Sequence, residues 1–251
     1  MSSITGHADV MRLLLADGRV DPTADDNYAI RKSSKYGRTD VVKLLLADAR
    51  VDPTADNNVA IWWSSHNGHA DVVRLLLADG RADPTVTNNY PIRTSSGMGH
   101  ADVVRLLLAD ARVDPTDWGN EAIRESSNWG RTDVVKLLLA DGRADPTNCV
   151  IYWSSEFGHT DVVSLLLADG RADPTVRNNH PIRSSSWKGH VDVVRLLLAD
   201  PRVDPTVDDN YPIRASSWKG RADVVQLLLA DGRAVLSPPL TEVRRYAYKS
   251  Y

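Results

Sequence analysis

The pentapeptide Leu-Leu-Leu-Ala-Asp occurs eight times, at residues 13–17, 44–48, 75–79, 106–110, 137–141, 165–169, 196–200 and 227–231. Successive copies lie 31 residues apart, except the fifth and sixth, which lie 28 apart. A fixed period of this size means that one small unit is stacked along an axis and that neighbours complete each other's core. Counted from each Asp-Pro, seven full units follow one another: 21–51, 52–82, 83–113, 114–144, 145–172, 173–203 and 204–234. A half unit, 1–20, precedes them and a divergent segment, 235–251, follows. No linker or shift of composition divides the run, which predicts one continuous array over 1–234.

Each unit reads approximately D-P-T-x-x-x-N-x-A/P-I-x-x-S-S-x-x-G-H/R-x-D-V-V-x-L-L-L-A-D-x-R-A/V. Two helices fit it. The first runs from about Tyr28 to Tyr36 in the opening full unit, and Pro91, Pro181 and Pro212 stand at its second position, where a missing N–H is harmless. Gly37 and its counterparts end it in a left-handed turn. The second begins near Thr39-Asp40, with an aspartate against its positive end in every unit. At 100° per residue, Val134, Val135, Leu137, Leu138 and Leu139 cover a wide apolar arc and leave Lys136 outside. Asp-Pro-Thr then forces an extended, turned connection.

The stretch "YPIRTSSGMGHADVVRLLL", residues 90–108, resembles the T-P-L-H-x-A-A-x-x-G-H-x-x-V-V-x-L-L-L pattern of the ankyrin repeat. The resemblance covers about residues 1–234 and implies an all-α helix-turn-helix solenoid with short extended fingers between repeats. The period of 31 departs from the family's 33, which bears on the finger and not on the helix pair. Ile-Arg stands for Leu-His, and Ser-Ser for Ala-Ala. Ser33 and Ser34 keep the small volume that close helix contact needs, and their hydroxyls can bond carbonyls four residues back.

The segment "NCVIYWSSEFGH", residues 148–159, places the only cysteine near two serines, a glutamate and a histidine. Within the repeat these letters are structural. Ser154 and Ser155 hold the Ser-Ser position of every unit. His159 holds a position shared with His7, His69, His100 and His190, where Arg38, Arg131 and Arg221 also serve. A catalytic base would not be repeated and exchanged for arginine. No phosphate loop, cysteine pair or histidine pair at metal spacing is present, so no cofactor, metal or catalytic residue is expected.

Function is expected where the units differ. On the first helix, positions equivalent to 32, 35 and 36 face away from Ile30 and Ser34. They hold five of the seven tryptophans and the only phenylalanine. In the ankyrin family the positions before this glycine and the finger tips line a concave binding face. The resemblance therefore implies partner contact by Tyr36, Trp63, Met98, Trp129, Trp153, Phe157, Trp187, Lys188, Trp218 and Lys219. The competing reading has the rings filling gaps between first helices. A recurrent arginine (Arg31, Arg93, Arg124, Arg183 and Arg214) reads either as a ladder bonded to finger carbonyls and aspartates or as a grip on an acidic partner.

The expected function is a non-catalytic protein-binding scaffold. The alternative is a self-associating subunit joined head to tail through incompletely capped ends, with 235–251 forming either a final capping helix or a tail. A net charge of −3 gives no general attraction to nucleic acid or anionic lipid. No run approaches the length that spans a bilayer, one cysteine forms no internal disulfide, and no basic-then-apolar leader opens the sequence. An intracellular protein is expected.

Overall fold

The computed structural model describes residues 5–147 and 150–235. These residues form helices joined by turns, with no β-strand among them. The second helices are α1 (Ala8–Asp17), α3 (Thr39–Leu46), α5 (Ala70–Asp79), α7 (Ala101–Leu108), α9 (Thr132–Asp141), α11 (Thr160–Asp169), α13 (Val191–Ala199) and α15 (Ala222–Asp231). Alternating with them are the first helices α2 (Ala24–Lys35), α4 (Ala55–His66), α6 (Val86–Met98), α8 (Asp117–Asn128), α10 (Val150–Glu156), α12 (Val176–Lys188) and α14 (Val207–Trp218). Each pairs with its partner within the unit and with its equivalents on either side, so two rows of helices run along the array.

The apolar arc is narrower than five residues. Leu138 lies three and four residues beyond Val135 and Val134, and these three are the fully enclosed ones, while Leu137 and Leu139 are half-buried flanks. The same division recurs along the array, with Ile30, Ile61, Ile92, Ile123, Ile151, Ile182 and Ile213 closing the core from the first helices.

The fingers are short but coiled rather than drawn out. In α2 the stretch Asp25, Asp26 and Asn27 holds φ of 53°, 55° and 56°, one left-handed turn before the right-handed helix starts at Tyr28. Five further units repeat it, at 56–58, 87–89, 118–120, 177–179 and 208–210. Asn and Asp dominate there because they tolerate this region best. The turn is held from two sides. Asn27 Oδ1 accepts the backbone N–H of Asp52 in the next unit (2.8 Å), and Asn58, Asn89, Asn120 and Asn179 repeat this. The recurrent arginine supplies the other side. Arg31 donates to the Asp25 carbonyl (2.9 Å), Arg93 to that of Asn88 (3.1 Å) and Arg214 to that of Asp209 (2.8 Å). Arg93 also pairs with Glu121, and Arg183 with Asp208. This arginine is a structural ladder.

The two serines are not equivalent. The first of each pair bonds a carbonyl of its own helix, more often three residues back than four: Ser64 to Ile61 (3.0 Å), Ser126 to Ile123 (3.1 Å). The second, at Ser34, Ser65, Ser96, Ser127, Ser155 and Ser186, is buried with its hydroxyl unpaired. Its place therefore demands small volume and not a hydrogen bond. Ser96→Ala is expected to raise the unfolding free energy by about 1 kcal/mol and Ser95→Ala to lower it by about the same; urea titration of the two variants checks this.

The exchange of histidine for arginine also has a physical reason. His69 Nε2 donates to the Lys35 carbonyl of the preceding unit (3.0 Å), and His100, His159 and His190 reach the carbonyls of His66, Asn128 and Glu156. Arg131 Nε does the same to Gly97 (3.1 Å). Either side chain offers an N–H to an exposed helix-end carbonyl. Burial pushes the His100 pKa down. The unfolded chain then takes up its proton first, so this contribution is complete above about pH 6.5 and is lost as pH falls through the depressed folded value. His100→Arg is expected to flatten the fall in urea midpoint between about pH 7 and pH 5, a window in which arginine does not titrate.

A second joint was not legible as such. Arg81 clasps Asp79 through Nε (2.7 Å) and Nη2 (2.8 Å), and its Nη1 reaches the Val51 carbonyl of the preceding unit (2.7 Å). Arg143, Arg171 and Arg233 repeat this on Val113, Ala144 and Val203. At the equivalent Asp48, the Arg50 guanidinium holds the carboxyl down to about 2.

Candidate functional site

Each first helix presents its variable positions in its last turn, where the left-handed glycine fixes the departure of the chain. Tyr36, Met98, Trp129, Trp153, Phe157 and Trp218 are exposed, as are Lys188 and Lys219, while Trp63 and Trp187 are half-buried. None of the seven tryptophans is buried, and Trp218 reaches 73% exposure. The rings therefore do not lie sunk between the helical layers.

They fall into clusters. Towards the start of the array, Trp62 stacks on Trp63 at 4.1 Å between centroids, Tyr90 meets Trp62 edge-on, and Lys35 Nζ sits 3.9 Å above the Trp63 ring. In the fifth and sixth units Trp153 lies parallel to Phe157 at 6.1 Å, and Tyr152 stacks on His180 at 4.0 Å. In the sixth and seventh, Trp187 and Trp218 lie 5.0 Å apart, with Lys219 Nζ over both.

Two hollows open beside the clusters. One, of about 430 Å³, opens where Gly97 stands at a position that other units fill with a side chain; Tyr90, Met98, Glu125 and Trp129 line it. Trp129 Nε1 donates to Glu125 across its wall (3.1 Å). The other, of about 570 Å³, lies between α12 and α14 and is lined by Glu156, Arg183, Trp187, Lys188, Tyr211 and Trp218 among others. Both volumes fall in the range of ligand-sized clefts, roughly 300–1,000 Å³.

Trp62, Tyr152 and His180 belong to this face although the choice of positions 32, 35 and 36 passes over them. The usable signal was the residue after the isoleucine, where Trp62 and Tyr152 replace the arginine of five units. Burial half-covers His180 and pushes its pKa down, with Glu156 opposing.

Ser154 donates to carbonyls of its own helix, Ser155 is fully buried, and His159 is engaged by Asn128. Cys149 lies outside the described residues, as does the segment 236–251. Among the described residues, no group of three or more His, Cys, Asp and Glu side chains is placed to hold a metal. No helix among them is long and apolar enough to cross a membrane.

Comparison with curated proteins finds no match. The family model described as ankyrin repeats (3 copies) matches residues 1–88 and again 126–209. Paired helices with glycine-ended first members, stacked in two rows, agree with that match in the described residues from Ala24 onward. The chain belongs to the ankyrin repeat family.

Proposed function

We propose that the chain is a non-catalytic scaffold that binds a protein partner across the aromatic face of its first helices. Ankyrin repeats generally mediate protein–protein interaction. The observation that carries the reading is that all seven tryptophans stay at least partly accessible, while the recurrent buried positions of the helix cores are filled by isoleucine, valine, leucine and serine. Accessible tryptophan and tyrosine beside lysine and arginine are the chemistry of interface hot spots, because they bury large areas for few lost torsions. The first helices also pack more closely on one another than the second helices do. That supports an array curved towards the first-helix side, so that this face is the concave one. A preformed face of this kind docks a partner with little reordering.

The test is affinity capture from lysate with quantitative mass spectrometry, using the full chain and the Trp187→Ala/Trp218→Ala variant. Capture is expected to weaken by more than about 1 kcal/mol, with the helical circular dichroism unchanged. Equal recovery by both proteins counts against the reading. Sedimentation over a wide concentration range tests the alternative of head-to-tail self-association, which requires a mass that grows with concentration.

A further inference from the structure

The hollow between α12 and α14 differs from the one around Gly97 in how its charges are used. Around Gly97 they are closed on one another: Arg93 pairs with Glu121, Glu125 holds the Trp129 indole, and Arg131 is bonded to a backbone carbonyl. Between α12 and α14 the cations outnumber their partners. Arg183 pairs with Asp208 (3.2 Å) while its buried Nε meets no acceptor among the described residues, and Glu156 is shared at 4.0 Å by Lys188 and His180. Lys219 has no carboxylate within 4 Å among the described residues; its ammonium rests 4.2 Å from the Trp187 ring and 4.7 Å from Trp218. An aromatic face occupies one side of an ammonium and leaves N–H groups for an acceptor. The planes of Trp187 and Trp218 diverge by 42°, and Tyr211 lies on the same wall.

We infer that this hollow takes an acidic peptide segment of a protein partner, a large apolar side chain lodging against Trp187, Trp218 and Tyr211 and the adjacent carboxylate meeting Lys219 and Lys188. The inference rests on the protein-binding reading above and names the chemistry recognised there. A carboxylate beside sheltering rings gains more from a cation than it does in open water. Cationic groups beside indoles also suit the stacked bases of a single-stranded nucleic acid. The acidic side chains at this site, Glu156 and Asp208, and the net charge of −3 oppose a phosphate backbone.

The experiment is fluorescence anisotropy of the labelled, end-capped peptide Glu-Glu-Phe-Leu-Glu-Glu against the full chain at low ionic strength. Its glutamine and lysine counterparts and an oligouridylate are the comparison probes. The acidic peptide is expected to bind, with affinity falling as salt rises. Lys219→Gln and Trp218→Ala are each expected to weaken it about tenfold, and Lys43→Gln, an exposed lysine on the second helix α3, to leave it unchanged. Lys219 is a surface side chain, and circular dichroism verifies that its variant folds. Absent binding, equal binding of the glutamine peptide, indifference to Lys219→Gln, or preference for oligouridylate overturns the inference. Loss of the lysate partner with Trp187→Ala/Trp218→Ala but not with Lys188→Gln/Lys219→Gln would overturn it while leaving the protein-binding reading standing.

Discussion

Leu138→Ala is expected to lower the unfolding free energy by about 2–5 kcal/mol. Leu138 is 0% exposed and belongs to the larger of the two core clusters, where its neighbours come from adjoining units as well as its own. Truncation removes the transfer energy of the deleted methyls and leaves a cavity. Facing helices cannot close that cavity, because hydrogen-bonded joints on both sides hold them in register. In a stacked array such a loss weakens the interfaces on either side of the altered unit. Lys136→Ala, two residues away on the solvent side, is expected to stay within about 0.5 kcal/mol of the parent. Parallel urea titrations compare them, and a Leu138→Ala midpoint equal to that of Lys136→Ala would show that the core is not where the helices place it.

Gly130→Ala tests the joint between the fourth and fifth units. Gly130 has φ of 64°, and a Cβ there would lie 2.5 Å from Nδ1 of His159. The ring cannot retreat freely, since its Nε2 is bonded to the Asn128 carbonyl at 2.9 Å. Two penalties add: about 1–3 kcal/mol for a side chain in the left-handed region and about 1–3 kcal/mol for overpacking. Gly220→Ala separates them. It has nearly the same φ, 68°, but nothing among the described residues within 4 Å of its Cβ position, so only the backbone penalty applies. Gly130→Ala is expected to be the more destabilising by the packing share, and His159→Ala in the same chain to return most of the difference. Equal losses at the two glycines would dismiss the glycine–histidine contact.

The period, the helix pair and the left-handed glycines were all legible, because the chain carries several copies of each unit and repetition separates required positions from free ones. The same comparison disarmed the apparent Cys-Ser-His constellation. Other features escaped it. That Asn27 and Asp25 form a left-handed turn, and that Arg31 binds its carbonyl, depends on backbone angles that no single unit's composition announces. Arg81 reaching Val51 joins residues 30 apart in sequence and is invisible to any local reading. Of the two roles expected at the second serine, small volume is the one used, and its hydroxyl bonds no carbonyl. Of the candidate face, the row of exposed rings could be placed by helical geometry. The pairing of Trp187 with Trp218 and Lys219 could not, since it depends on how neighbouring units are offset.

The fifth unit bears on how such a chain can change. Thr116 and Ala122 are separated by five residues, and their counterparts Thr147 and Val150 by two, so the missing three fall where other units make the left-handed turn. Helix α10 nevertheless keeps Ile151 and the two serines enclosed and still abuts α8 and α12. Length is therefore editable at one address per module without disturbing the tiling. A tip can be trimmed there by three residues while the ring-bearing surface stays on its lattice.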